Sequence, residues 1–387
     1  MKASIIIAAA AAASITSVVP ASAQAPYVVG VTGAITGPAA GTYAPAIEAM
    51  RLYIDKVNAN GGVNGRKINL LIQDDQGEAS KGAANAKRFL TQDNALLVVN
   101  ASLSTTFPPL IAEAGRAGVP VLFAGAACPA EVYPPAQSLL FCSTAYAAQL
   151  DSQGALDFIK SKSPANAKIG LAAMGIPISR AAIDFAEKRA PEMGLTTVEK
   201  VVVPPATPDF TSVASRLQQG QPDWVYSWAP WVVEVKVFEA LRKIGWSGYY
   251  VTWATPEAED ELARLRDEKL FAVGAHAFFS DDSPVQREIV AAAKAGNATY
   301  PPNQMADGWI GGMVIEAALK AAKEATPKAV HDAMLNLTVD TKGLRGGPIE
   351  WNKDNHFRAK QYYRVFRWNS TKGGVEVVQD WKGYEVK

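Results

Sequence analysis

Residues 28–75, VVGVTGAITGPAAGTYAPAIEAMRLYIDKVNANGGVNGRKINLLIQDD, decide the architecture of this chain. The opening VVGVTGAITG is strand-like. From Ala44 to Val57 the apolar residues Ile47, Met50, Ile54 and Val57 recur three or four apart, which is the period of an amphipathic helix. Asn58-Ala59-Asn60-Gly61-Gly62-Val63-Asn64-Gly65 stops that helix, because Gly and Asn tolerate the positive φ at which helices end. Lys67–Ile72 is the next strand, closed by Gln73-Asp74-Asp75. Strand, crossover helix and second strand in this order make a βαβ unit of a parallel sheet.

Working outward, the same alternation continues. A helix near Ser80–Thr91, a strand Ala95–Asn100, a helix near Thr105–Ala117 and a strand Val119–Ala124 follow, then a short apolar piece, Leu139–Ser143. A second series begins with helix Leu150–Lys160 and strand Lys168–Met174. It continues through helix Ser179–Glu192, strand Thr197–Pro204, helix Phe210–Gln219, strand Asp223–Trp228, helix Val232–Ile244, strand Tyr249–Trp253 and strand Phe271–Phe279. Two βα series of similar length imply two doubly wound domains. Helix patterns at Asp282–Ala295, Met305–Lys323 and Lys328–Leu337 come next, and beyond Gly343 the texture turns to β.

Ahead of the first strand, Lys2, an apolar run from Ile5 to Ala13 and the small-x-small triplet Ala21-Ser22-Ala23 have the form of a secretory signal peptide, residues 1–23, cleaved after Ala23. The apolar run is too short for a membrane span, which needs about 20 residues. The chain reads as exported and soluble. Lys and Arg number 38 against 37 Asp and Glu, a balance that asks for neither nucleic acid nor an anionic membrane as partner. In an exported chain the two cysteines, Cys128 and Cys142, favour a disulfide, with a pair of buried thiols as the other reading. Three histidines far apart in sequence give no support for a zinc site, and no cofactor motif is present.

Nothing in the chain reads as catalytic machinery. G-x-S-x-G, H-E-x-x-H and G-x-x-x-x-G-K-[S/T] are all absent. The Gly cluster at 61–65 follows a helix instead of preceding one, so the helix dipole is wrongly directed for a phosphate. Asp74 and Asp75 are adjacent on extended chain and face opposite sides, which suits solvation or capping better than paired acid–base chemistry.

Open α/β sheets hold ligands beyond the carboxyl ends of their strands. In the first series that rule selects Ser102, Ser104 and Thr105, hydroxyl residues directly before a helix, where a carboxylate would meet hydroxyls and a positive helix end. Read alone, Ser104 is better taken as an N-cap. In the second series the rule selects Trp228, Trp231 and Trp253, of which at least one should form a cleft wall.

The strings GVTGAITGPAAGTYAP and NANGGVNGRKINLLIQDDQ resemble the opening of the periplasmic leucine/isoleucine/valine-binding protein family, whose members hold solutes for ABC importers. The resemblance implies a type I periplasmic binding protein fold: two doubly wound Rossmann-like α/β domains joined by three crossing segments. It places the N-terminal lobe at 27–145 plus 280–346 and the C-terminal lobe at 146–279 plus 347–387. The crossings then fall near Cys142–Tyr146, His276–Phe279 and Gly346–Trp351. It also implies that Ser104, with the backbone of Gly125-Ala126-Ala127, grips a ligand carboxylate. The family's Tyr-Gly pair is missing at Gly175-Ile176-Pro177-Ile178-Ser179-Arg180, where Arg180 offers a bidentate partner for a carboxylate or merely a surface charge. Where the family's amino-acid binders place an acid for the ligand ammonium, Val251-Thr252-Trp253-Ala254-Thr255-Pro256 has none, and Glu257 comes only later. A buried ammonium without an anion costs several kcal/mol. The expected ligand is therefore an aromatic or hydrophobic carboxylate without an amine. A branched-chain amino acid is the alternative, and a secreted α/β hydrolase or a sensory module are the alternatives of other classes. The expected partner is a cognate ABC permease in the inner membrane, served by a monomer.

Overall fold

The computed structural model describes residues 24–254 and 258–386; the expected signal peptide and Glu257 lie outside them. Two sheets organise the chain. The first is all parallel, in the order β2-β1-β3-β4-β5, built from β1 (Tyr27–Gly33), β2 (Ile68–Asp74), β3 (Leu97–Ala101), β4 (Val121–Phe123) and β5 (Leu140–Cys142). Its connecting helices are α1 (Ala40–Ala59), α2 (Ala79–Thr91) and α3 (Phe107–Ala117). β3 is buried along its whole length, as a strand covered on both faces must be.

The second lobe carries α4 (Ala148–Lys162), β6 (Ala167–Met174), α5 (Pro177–Arg189), β7 (Leu195–Val203), α6 (Thr211–Gln219), β8 (Trp224–Trp228), α7 (Trp231–Lys243), β9 (Tyr249–Ala254), α8 (Ala258–Leu265) and β10 (Leu270–Gly274). The chain then returns to the first lobe with α9 (Pro284–Ala295), α10 (Ala306–Ala321), α11 (Pro327–Met334) and the short pair β11 (Thr338–Val339) and β12 (Ile349–Glu350). It ends in the second lobe with β13 (Lys360–Asn369) and β14 (Gly374–Glu385), completing a mixed sheet in the order β14-β13-β10-β9-β8-β6-β7. Its antiparallel pairings are β10 with β13 and β13 with β14.

The return helices belong to the first core. Trp309, Ile310, Val314 and Ile315 of α10 pack with Ile47, Met50 and Ile54 of α1 beneath the first sheet. The two helices approach so closely that a Cβ on Gly308 would lie 1.8 Å from the carbonyl oxygen of Ala46, a contact only glycine permits.

The third crossing lies later than the Gly346–Trp351 expected from the resemblance. Leu344–Gly346 does visit the hinge, where it pairs with Ala275–Ala277. It then turns back: β12 pairs with β11, and Trp351 is buried in the first core. His356 lies alongside β5, its carbonyl accepting from the Cys142 amide, and its ring stacks on Phe141 4.2 Å away. The chain leaves the first lobe only between His356 and Gln361. The turn residues around Gly346 resemble an exit in sequence, but the apolar Ile349 and Trp351 find their partners in the first lobe.

β10 also stops at Gly274, short of the Phe279 read from the apolar run, because the chain bends there into the second crossing. Cys128 and Cys142 are joined, fastening the loop after β4 to the end of β5. No helix among the described residues is long and apolar enough to cross a membrane.

Candidate functional site

The carboxyl ends of both sheets point at one another. Between them is a cavity of about 20 Å³. Ser104, Gly125 and Ala127 of the first lobe face Ile178, Trp228 and Trp253 of the second, and Thr42, Tyr43 and Tyr146 also line it.

Each of these residues is fixed by local structure. Ser104 begins a single 3-10 turn ahead of α3 and makes no cap hydrogen bond with its side chain. Its Oγ instead accepts from the amide of Ile178 across the cleft, at 3.3 Å. Ile178 is the second residue of α5, so this amide is one of the helix's unsatisfied first-turn donors. In the same turn the Ser179 hydroxyl is fully buried without a partner. Gly125 adopts φ +77°, and a Cβ there would approach Cβ of Ala46 to 2.7 Å, so a glycine is required for the β4 loop to turn into the cleft.

The aromatic wall is equally anchored. Trp228 and Trp253 stack with centroids 5.0 Å apart and planes 16° apart, and Tyr146 meets Trp253 edge-on at 4.0 Å. Trp253 Nε1 donates to the carbonyl of Ala229 at 2.8 Å, and Trp228 Nε1 donates to Asp151 Oδ2 at 3.0 Å. Burial pushes the Asp151 carboxyl up to about 6, against the opposing pull of hydrogen bonds from Tyr363 and Trp228. Behind the 228–231 turn, Glu234 accepts from Ser227 Oγ at 3.0 Å and from the Ala229 amide at 3.3 Å, and also from Thr252. Burial raises its pKa well above the ordinary carboxylate value. Both acids hold the wall from behind; neither lines the cavity.

Of the residues selected from sequence, Ser104, Gly125, Ala127, Trp228 and Trp253 come together here. The others do not. The Ser102 hydroxyl is committed to buried Asp75, which also takes Thr32 Oγ1 at 2.8 Å. Thr105 Oγ1 donates to the carbonyl of Gly77. Ala126 is wholly buried in the first lobe, its carbonyl accepting from Thr144 Oγ1. Trp231 starts α7 and falls on one helical stripe with Val235, Phe238 and Leu241, all within the second-lobe core. Arg180 is exposed on α5; the α5 backbone, not its guanidinium, meets Ser104.

Tyr43, Tyr146, Ile176 and Pro230 were not selected from sequence, although Tyr43 follows β1 by the same strand-end rule that found Ser104. Among the described residues the lining contains no Asp, Glu, Lys, Arg or His, and no group of three or more His, Cys, Asp and Glu could hold a metal. A slot in which a first-lobe hydroxyl faces a helix-start amide and stacked rings of the second lobe suits a planar apolar body bearing one anionic group.

The model of a family described as periplasmic binding protein matches residues 26–374. The chain belongs to that family. Its members bind solutes and are not enzymes. Among solved structures similar to this periplasmic binding protein is the solute-binding protein of an ABC transporter from Rhodopseudomonas palustris BisB5, in complex with 3,4-dihydroxybenzoic acid. It has a TM-score of 0.78 at 18% identity, over 93% of this chain and 98% of that one. A branched-chain amino acid ABC transporter protein from Thermus thermophilus with bound valine gives 0.79 at 18% identity, over 94% and 97%. A fatty acid ABC transporter substrate-binding protein from Thermomonospora curvata gives 0.76 at 18%, over 94% and 95%. These identities establish shared fold. In sequence, an amino acid binding protein from Pseudomonas aeruginosa is 33% identical over 107 residues, a stretch spanning 28% of this chain and 29% of that relative.

Proposed function

We propose that this protein captures a small aromatic carboxylate between its lobes, in the periplasm, and delivers it as a monomer to the permease of an ABC importer. The observation that carries this reading is the stacked pair Trp228–Trp253 facing Ser104 across a lining without charged side chains. The carboxylate would take the Ser104 hydroxyl and the first-turn amide of Ile178, replacing the bond these two now make to each other. The ring would lie against the indoles, gaining about 0.5–1.5 kcal/mol beyond simple burial. An α-ammonium would find no counter-charge on the lining. The dihydroxybenzoate complex of a relative with this fold supports an aromatic acid as cargo.

A cavity of about 20 Å³ has room for little more than one water, whereas small-molecule sites occupy about 300 Å³ or more. Ligand therefore enters only when the lobes part and is enclosed as they close, a hinge motion about the three crossings. Isothermal titration calorimetry with benzoate, cinnamate, leucine and valine tests the reading. The expected result is binding of the aromatic acids with weaker or no binding of the amino acids. Tight leucine or valine binding without response to the aromatic acids overturns it and favours the amino-acid cargo of the valine-bound relative.

A further inference from the structure

A second cavity, of about 450 Å³, lies beside the first. The two are neighbours through three chain segments. Ile178 lines both; Ala127 faces the small cavity and Cys128 the large one; Tyr146 faces the small and Ala147 the large. Its wall is mostly apolar. Ile178, Ala181 and Phe185 present one stripe of α5 at three- and four-residue spacing, Ala148 and Leu150 come from the start of α4, and Val386 covers the far side. The first lobe supplies Cys128, Ala130 and Tyr133, so this chamber too lies between the lobes.

Two of the polar groups at its edge are engaged, while the Tyr133 hydroxyl on the first-lobe wall is buried without a partner. Gln153 accepts from Arg189 and donates to Asp157, and Glu385 pairs with Lys360. A space of this size with a mostly apolar wall, which shares the half-buried Ile178 with the carboxylate-and-ring slot, is matched to apolar substance and not to a second anion.

We propose that the ligand site is bipartite: the side chamber beyond Ile178 receives an apolar tail on the carboxylate ligand, so that the preferred cargo is an alkyl- or aryl-extended aromatic acid. This rests on the cleft reading given under Proposed function. Ile178 would act as the gate residue between head and tail. Length selection by such a chamber would follow from burial alone, because each methylene removed from water tightens binding by about fourfold.

The test is calorimetry of benzoate, 2-ethylbenzoate and 2-butylbenzoate, whose alkyl chains leave the ring beside the carboxylate and so on the Ile178 side, on the full mature chain and on Ala181→Trp, whose indole would cover the chamber from its exposed rim. The readout is the ratio of 2-butylbenzoate to benzoate affinity within each protein, so any general weakening of the variant cancels. In the unsubstituted protein the ratio should exceed about tenfold. It should collapse towards unity in Ala181→Trp. Benzoate binding with no gain from the alkyl chain, or a gain that survives Ala181→Trp intact, overturns the chamber proposal and leaves the cleft reading standing. Failure of every member of the series to bind overturns both.

Discussion

The Ser104 hydroxyl lies 3.3 Å from the Ile178 amide, so a carboxylate inserted between them would be held by one group from each lobe. Ser104→Ala should weaken binding of an aromatic acid by about 1–2 kcal/mol, the scale of a lost hydrogen bond to a charged group. An unchanged dissociation constant by calorimetry would remove Ser104 from the site. Behind the opposite wall, Asp151 makes a different prediction. Its pKa is pushed up to about 6 by burial, from an ordinary value near 3.8. A group with a raised folded pKa contributes stability that is complete below the unfolded pKa and is lost as pH rises through the folded one. Stability should therefore fall by on the order of 2–3 kcal/mol between about pH 4 and pH 6 through this residue. Denaturant midpoints of Asp151→Asn across that range should lack this component; an identical pH profile would refute the assignment. At this scale the sequence was legible where residue type and strand-end position agreed, as for Ser104, Gly125, Trp228 and Trp253. It was silent on Asp151, because an acid in the first turn of a helix looks the same whether it faces solvent or a tryptophan. Trp231 misled for a complementary reason: its place after a strand suggested the cleft, while its helical register with Val235 and Phe238 put it in the core.

At the scale of elements, the loop that follows β4 is fastened by the Cys128–Cys142 disulfide, with 14 residues of separation, immediately beyond the Gly125–Ala127 segment that lines the cleft. Closure of a loop of this length contributes about 3 kcal/mol in the chain-entropy account. Replacing both cysteines by serine should lower stability by about that amount and loosen the cleft-lining loop. Thermal unfolding with and without ligand would measure both effects, and thiol titration of the denatured, unreduced protein should find no free thiol. Two reactive thiols would contradict the bond. The βα elements themselves were readable from apolar period, and α1 begins only four residues ahead of the helix read from Ala44. The far end of β14 was not, since its exposed, mixed residues carry no alternation and the pairing with β13 over Lys360–Asn369 supplies the strand. The third crossing was misplaced because composition marks a turn at Gly346 but does not say which lobe Ile349 and Trp351 will pack against.

Across the whole molecule, the hinge gathers its charges on one carboxylate. Asp307, near the start of α10, accepts from Tyr146 on the first crossing and from Arg345, and its Oδ1 lies 2.9 Å from His276 Nε2 on the second crossing. The successive carbonyls of Ser143, Thr144 and Ala145 receive Arg345, Arg358 and Gln361. All three crossings are thus tied to one buried centre, and Tyr146 carries that centre to the cleft wall through Trp253. Burial alone would raise the Asp307 pKa, but the charges and hydrogen bonds of His276 and Arg345 outweigh it and hold the carboxyl well below its usual range. A depressed folded pKa contributes stability that is present above the unfolded value and lost as pH falls through the folded one. The hinge should therefore weaken below about pH 4, the unfolded value for Asp. Asp307→Asn should leave the fully buried Arg345 guanidinium without its anion and cost about 3–5 kcal/mol at neutral pH. The same variant should lose less of its remaining stability on acidification than the unsubstituted protein does. Denaturant unfolding at pH 7 and pH 3 measures both. Equal midpoints for the two proteins at pH 7 would mean that the crossings are held by their backbone and by Arg358 and Gln361, with Asp307 a bystander to the hinge.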